Sequence, residues 1–593
     1  MTAQDDYKLS FIVAYYNYCS QLDGEILKKL KEKYGRYKDL YYRDVMKSNS
    51  KGVKEKLKIF IKSKLYFLYR MIKRRKNKMR SENSIKSIIT SSVSNVLTML
   101  MGFVARAVFI RTLGNEYLGI NGLFTNILSM LAIAEMGFGS AIIVNLYKPV
   151  AKNQTEKIKS LIDFYKNIYR IIAVVVTILG IAIIPFLGSI VGNVKISINI
   201  YLIFLLYLAD TVFSYLLTYK RSILYANQKK YLIDLVHIGY VVLLNISQII
   251  YLFVAKDFIG YLVIKIAFRV IENVVITIIA NRRYPYMKDK DIKPINKRLK
   301  ASIFIRVKGL IFHKIGYFLV LGSDNIIISM LPNLGIIQVG LYSNYYMIIT
   351  AIALLLGQCF SALTSSVGNL LVENNSEKTF SIYKSTLLAN AWMYTFSAIS
   401  IFMLSKPFIN IWLGNEYVLS DVIVFVLVVN FYINGMRQTY NTFKEAAGIF
   451  YQDRFVPLIE SAVNIVVSVV LGYSIGLAGV FIGTIASNMV LFVFSFPKFV
   501  YKKILHGNII DYLKENGQYA LLFAISFAIT YLICSNIPLD NNWLKLIVYA
   551  VICLLIPNTV YLIVKRKSPE YTYYTNLLSN IKNKIFKGNK VNS

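Results

Sequence analysis

Five cations stand inside stretches of this chain that are otherwise apolar: Arg106, Lys265, Arg269, Lys314 and Arg437. Four acids, Glu135, Asp210, Asp324 and Glu460, are placed the same way, and Asn464 and Thr484 lie close to the last of them in sequence. A charge in hydrocarbon is costly and persists where it faces a partner, a ligand or water. The two sets point to different chemistry. Fixed cations inside a membrane suit an anionic substrate, whereas carboxylate, amide and hydroxyl oxygens suit a sodium ion or a proton relay. Lys265 and Arg269 are four residues apart and share a helix face. Counted at 1.5 Å per residue from Phe258, Arg269 lies about 16 Å deep, too deep for its side chain to reach the interface easily. Glu272, three residues on, is its obvious internal partner, and pairing does not exclude a cavity role. Lys314 lies mid-span beside His313. Arg106 is about one turn from a helix end and Arg437 is nearer the other end, so reaching out to the interface competes with a cavity role for both. Glu460 and Asn464 are four apart, and a buried hydrogen-bonded cluster competes there with ion binding. Glu135 sits in AEMGFGSA, where Gly137 and Gly139 weaken a helix and let water or ligand approach.

The elements that must hold these residues are membrane helices. Apolar spans are expected near 85–110, 118–146, 169–191, 196–219, 232–254, 258–280, 303–330, 336–360, 385–405, 418–443, 456–475, 477–497, 517–536 and 544–565, fourteen in all. Alternate connections are rich in lysine and arginine. One carries Lys148, Lys152, Lys157 and Lys159, the next Lys220, Arg221, Lys229 and Lys230, and the next Arg282 through Lys300. The opposite set holds little beyond Arg111, Lys195, Lys256 and Lys406. The asymmetry predicts a multi-pass membrane protein with both termini in the cytoplasm. The fold class is all-α.

Lysine and arginine number 68 against 31 aspartates and glutamates, with 56% hydrophobic residues and positive mean hydropathy. No nucleic-acid-binding signature accompanies the basic loops, and nucleic acid is not an expected partner. The four cysteines, Cys19, Cys359, Cys534 and Cys553, share no metal or redox spacing and read as small hydrophobes. Tyr342, Tyr345 and Tyr346 suit sugar stacking, although an interfacial aromatic belt explains them more simply.

The chain repeats itself. LGNEYLGINGLFTN at 113–126 lies over LPNLGIIQVGLYSN at 331–344, a shift of 218, with Asn115, Gly122, Leu123 and Asn126 on Asn333, Gly340, Leu341 and Asn344. TYKRSILYANQKKY at 218–231 lies over TFKEAAGIFYQDRF at 442–455. Six helices are thus followed by six of the same orientation, related by an axis along the membrane normal, with a site expected between the halves. Two further helices follow. The expected organisation is a basic segment at 1–80, six-helix lobes at 81–302 and 303–500, and at 501–593 the extra pair and a basic tail.

Twelve helices in two like bundles plus two resembles the multidrug/oligosaccharidyl-lipid/polysaccharide (MOP) exporter superfamily. FIRTLGNEYLGING at 109–122 and the stretch 442–487 look most like polysaccharide (Wzx-type) flippases within it. The resemblance covers most of 81–565. It implies alternating-access transfer of an undecaprenyl-diphosphate-linked oligosaccharide from inner to outer leaflet for capsular or exopolysaccharide export, with no enzymatic step and no bound cofactor. Arg106 matches an arginine that faces the cavity in the superfamily's lipid flippases. The resemblance also implies membrane lipids, a polysaccharide polymerase and glycosyltransferases as partners, and a monomer. Sodium, protons and the membrane potential all stay open as driving forces. The alternative is an ion-coupled drug antiporter of the same superfamily, which would favour an acidic, aromatic pocket over deep cations.

Residues 1–80 differ from the rest. SFIVAYYN at 10–17 resembles the opening strand of family-2 glycosyltransferases, and 37–78 their basic tail, but the metal- and nucleotide-binding acids between are missing. The segment is expected to be a catalytically empty remnant. Leu57, Ile61, Leu65, Leu68 and Ile72 form one apolar stripe among lysines and arginines, fit to lie on an anionic leaflet or to stand solvated.

Overall fold

The computed structural model describes residues 82–83, 86–131, 135, 138–192, 198–289, 291–373, 375–449 and 452–588, and along 308–318 the course of the helix alone. The strand and amphipathic helix expected within 1–80 lie outside the described residues. The chain divides into two units, Met1–Ile85 and Lys86–Ser593.

The second unit is helical throughout its described residues. Its helices are α1 (Lys86–Leu113), α2 (Asn115–Leu131), α3 (Phe138–Ala151), α4 (Thr155–Ile183), α5 (Ile200–Tyr215), α6 (Lys230–Ala255), α7 (Phe258–Arg283), α8 (Lys297–Met330), α9 (Ile336–Val372), α10 (Ser376–Trp412), α11 (Asp421–Ala446), α12 (Val456–Ile475), α13 (Leu477–Val490), α14 (Ile509–Ser535), α15 (Asn542–Lys565) and α16 (Pro569–Gly588). Eleven described helical stretches are long and apolar enough to cross a membrane, with α4, α5 and α13 counted on to Val191, Ala226 and Lys502. The spans expected at 118–146, 258–280 and 303–330 fall on α2–α3, α7 and α8, which are not among those eleven. α7 is set apart by the charges it carries. Every 18-residue window of α7 includes at least three of Lys265, Arg269, Glu272, Arg282 and Arg283.

Two stretches of the span expected at 118–146 are described. α2 is described to Leu131 and α3 from Phe138, with Glu135 between them. Several helices also outrun their apolar cores. α4 and α10 begin at Thr155 and Ser376, well before the apolar residues start, and carry polar turns out of the membrane.

The helices that carry the stretches 113–126 and 331–344 pack on each other. α2 and α9, the second helices of the two halves, meet backbone to backbone. A Cβ on Gly119 would stand 2.2 Å from the Ile336 carbonyl oxygen, and one on Gly340 would stand 2.8 Å from that of Asn115. Small residues at such crossings are how membrane helices pack closely without a hydrophobic driving force between them. The additional pair belongs to the second lobe. Trp392 Nε1 on α10 donates to Asn558 Oδ1 on α15 at 2.6 Å, and Thr395 and Tyr561 share a hydrogen bond of 2.9 Å. Lys384 reaches Glu515 on α14 at 3.5 Å. Cys534 and Cys553 are buried free thiols, and Cys359 is exposed.

Candidate functional site

Polar residues in the first lobe converge on α7. Lys265 Nζ is 3.2 Å from Asp210 Oδ2, and Arg269 Nε is 3.4 Å from Asp210 Oδ1. Arg269 Nη1 also reaches Glu272 Oε2 at 3.3 Å, so the pair expected three residues apart forms. Glu272 is only 2% exposed and has two further partners: Arg221 Nη2 at 3.4 Å, and His237 Nδ1 at 3.0 Å from its Oε1. Arg221 additionally donates to Asn273 Oδ1 at 2.8 Å. Aromatic faces support the cations, with Lys265 4.9 Å from the Tyr207 ring and Arg269 5.0 Å from that of Tyr240. Lys265, Arg269 and Arg221 thus face two carboxylates, leaving one positive charge over before His237 is considered. Lys265 and Arg269 each keep a quarter of their side chain accessible.

Arg106 sits between the lobes. From α1 its Nε donates to Asn344 Oδ1 on α9 at 2.7 Å, and its Nη2 donates to Ser343. Met347 Sδ lies 3.8 Å from Nη1. All these partners are neutral. It does not turn out toward the interface. The same end of the molecule is tied by the Trp412 indole, which donates to the Phe103 carbonyl at 3.1 Å, and by Phe103 edge-on to Trp412 at 5.0 Å. Arg111 donates to the Trp412 carbonyl at 3.5 Å.

Asp210 stood among the ion-coupling candidates, and its position makes it a counter-ion of Lys265 and Arg269 instead. Glu135 accepts a hydrogen bond from Tyr169, whose hydroxyl also accepts from Tyr165 at 2.9 Å. In the second lobe the candidates divide into two groups. Glu460 pairs with Arg437 at 2.7 Å, and Arg437 also donates to Asn488 and to Asn434, the latter at 3.4 Å. Arg437 is therefore neutralised within the lobe and does not reach the interface. Asp324, 7% exposed, takes the place expected for Glu460 beside Asn464 and Thr484. Thr484 Oγ1 donates to Asp324 Oδ2 at 3.2 Å, Asn464 Nδ2 donates to Thr484 Oγ1 at 3.2 Å, and Ser323 Oγ donates to Asn464 Oδ1 at 2.9 Å. Among the described residues no lysine or arginine lies within ion-pair range of Asp324. No group of three or more histidine, cysteine, aspartate or glutamate side chains forms a metal site among the described residues.

The side chain of Lys314 lies outside the described residues. Tyr342 packs on Phe481 at 4.5 Å and Tyr345 accepts from the Leu419 amide at 2.9 Å, so both are tied into the helix packing. The sequence reading missed Arg221 and His237. Arg221 was counted among loop cations, and the signal for it was Glu272, a deep acid whose burial calls for more than one positive partner.

Residues 84–364 match the model of a family described as polysaccharide biosynthesis protein. None of the curated proteins matches the chain. Among solved structures the chain is similar to the lipid II flippase MurJ in an inward closed conformation, with TM-score 0.56 at 16% identity over 81% of this chain and 99% of that one. It is also similar to an inward-facing multidrug resistance MATE family transporter of the MOP superfamily, with TM-score 0.52 at 14% identity over 73% and 98% of the two chains. A mutant of the Vibrio cholerae MATE transporter VcmN gives TM-score 0.50 at 16% identity over 69% and 94%. The chain is a multi-pass membrane protein with the two-lobed, all-helical fold of the MOP transporters.

Proposed function

We propose that the chain is a flippase for a lipid-linked oligosaccharide whose anionic diphosphate is held by first-lobe cations. The observation that carries this reading is the charge balance. Three cations converge on two carboxylates at Lys265, Arg269, Arg221, Asp210 and Glu272. Arg106 adds a guanidinium between the lobes with neutral partners. An undecaprenyl-diphosphate-linked oligosaccharide presents a diphosphate to such a site. Its hydroxyls would cost roughly 2–7 kcal/mol each if unpaired in hydrocarbon, so it needs a wet cavity. With the lysine-rich loops and both termini in the cytoplasm, outward movement of the diphosphate is favoured by about 2.3 kcal/mol per charge per 100 mV. A polymerase and glycosyltransferases are natural partners, and export of a capsule-like polysaccharide is the natural setting. The match over 84–364 to polysaccharide biosynthesis proteins supports the substrate class. The drug antiporter reading fits less well, because a cationic drug would meet Lys265, Arg269 and Arg106.

Ion coupling is proposed at Asp324, Asn464 and Thr484 in the second lobe. A carboxylate, an amide and a hydroxyl with no cation nearby among the described residues offer oxygen ligands to sodium or a site for a proton.

The test is repeat-unit translocation in a deletion strain complemented with wild type, Arg269→Ala and Arg106→Ala, with membrane expression confirmed. Wild type should restore surface polysaccharide, and the variants should accumulate inner-leaflet precursor. Normal export by both variants would make the arginines structural. Failure of wild type itself would bring the antiporter forward.

A further inference from the structure

Two lysines hold the same position in the two repeats, and the chain treats them differently. The register of 218–231 over 442–455 places Lys220 on Lys444 and Lys229 on Asp453. Both lysines are buried, at 7% and 8% exposure. In the second lobe Lys444 Nζ pairs with Asp453, whose Oδ2 also accepts from Ser495 at 3.0 Å. In the first lobe a lysine stands where that carboxylate would be. Lys220 Nζ donates to Asn281 Oδ1 at 2.9 Å and to the Met287 carbonyl at 3.4 Å, both neutral. Among the described residues no carboxylate lies within ion-pair range of it. A buried ammonium loses its hydration and needs an anion to compensate.

Space for one is present. Lys220 lines a pocket of about 340 Å³ between α4, the turn after α5 and the stretch that leaves α7 toward the second lobe. Lys166 and Lys288 line it too. Of the acids nearby, Asp289 and Glu156 are engaged by Lys159, at 3.4 and 2.8 Å. Asp163 remains, accepting from Asn167 at 3.4 Å. Three ammonium groups therefore face one carboxylate that, among the described residues, no lysine or arginine holds.

We propose that this pocket binds a phosphate group, with Lys220 at its floor and Lys166 and Lys288 at its rim. A tetrahedral oxyanion offers several acceptors to ammonium donors arriving from different helices, and charge-assisted bonds of this type are the strong ones. The ligand takes the part that Asp453 plays for Lys444. Because Met287, Lys288 and Asp289 leave α7 toward α8, the bound anion fastens the interlobe stretch to α4. A phosphodiester lipid headgroup and a soluble phosphate compound share this chemistry. The proposal does not depend on the flippase reading.

The test uses the full-length protein in nanodiscs at constant ionic strength. One arm titrates inorganic pyrophosphate into zwitterionic discs, and the other replaces part of the lipid with phosphatidylglycerol. Thermal stability is the readout in both, with retained phospholipid counted by native mass spectrometry in the second. Wild type should be stabilised in at least one arm. Pyrophosphate alone acting identifies a soluble ligand, and phosphatidylglycerol alone acting identifies a headgroup. Lys166→Glu and Lys288→Glu, at the rim, should weaken the apparent affinity about tenfold each, roughly the loss of one charge-assisted bond. Lys229→Asp, which rebuilds the second lobe's internal counter-ion, should abolish the response while leaving the unliganded protein at least as stable. Lys444→Met should respond like wild type. The proposal is overturned if neither arm stabilises wild type, or if Lys229→Asp and the rim variants respond as wild type does. Because these variants do not remove Lys220, the result stands even where Lys220→Met fails to fold.

Discussion

Arg106 and Asn344 join the lobes: Nε on the first helix of one half donates to Oδ1 on the second helix of the other at 2.7 Å. Asn344 is itself the repeat counterpart of Asn126, so the contact lies beside the axis about which the halves are related. An arginine with only amide, hydroxyl and thioether partners keeps its charge available, and in the proposed alternating-access cycle it is placed where the lobes would part. Arg106→Lys should therefore lose transport although it keeps the charge, because the guanidinium fork reaches Asn344 and Ser343 together and an ammonium does not. A hydrogen bond to a charged group contributes roughly 1.5–3 kcal/mol, which places the loss at tenfold or more. Initial rates of precursor translocation in vesicles measure it. A rate within twofold of wild type would remove Arg106 from the transport cycle.

The Phe103–Trp412 contact makes a second prediction about the same end of the molecule. With the rings edge-on at 5.0 Å and the indole bonded to the Phe103 carbonyl, this contact closes the lobes over the lysine-poor face. A short cross-linker joining cysteines placed at positions 103 and 412, in a background with Cys19, Cys359, Cys534 and Cys553 replaced, should stop transport. A reducible linker should restore it on cleavage. Full transport with the linker in place would mean that this end need not open.

Glu272 should be the most costly carboxylate of the first lobe to remove. Arg269, Arg221 and His237 all meet it, and its side chain is fully buried. Breaking a buried ion pair from one side costs about 3–5 kcal/mol because the remaining charge is left uncompensated. Glu272→Ala should lower the melting temperature in detergent sharply. Asp210→Asn, at a site whose side chain is 13% exposed, should lower it less and leave a more positive cavity. Equal shifts for the two would mean that burial does not set their roles.

Much of this arrangement was legible before any fold was known, and the gaps have physical causes. Hydropathy located the eleven described helices that are long and apolar enough to cross a membrane, because length and apolarity are what a bilayer demands. The internal repeat told which helices correspond. Sequence spacing paired Arg269 with Glu272, since three residues on one helix bring side chains together. It missed Arg221, because that contact runs from a turn to another helix and nothing local specifies it. It grouped Glu460 with Asn464 because they are four apart on one helix. The fold instead turns Glu460 to Arg437 on α11 and brings Asp324 across from α8, partnerships that only the packing of three helices decides.

Asp324 gives the last prediction. Its carboxylate is buried, bonded to Thr484, and has no lysine or arginine in range among the described residues, so it must be protonated, bind a cation, or be destabilising. Asp324→Asn keeps the shape and can still bond Thr484, so the fold should hold and expression should match wild type. What should change is coupling. If a cation occupies the site, transport by wild type should rise with the sodium or proton gradient, and that dependence should vanish in Asp324→Asn, leaving a rate driven by membrane potential alone. Thr484→Val should weaken the dependence without abolishing it, since it removes one oxygen and leaves the carboxylate and Asn464. Transport assays in proteoliposomes, with sodium, pH and potential set independently, separate these outcomes. An undiminished gradient response in Asp324→Asn would move coupling away from the second lobe, and Glu135, bonded to Tyr169, would be the next carboxylate to test.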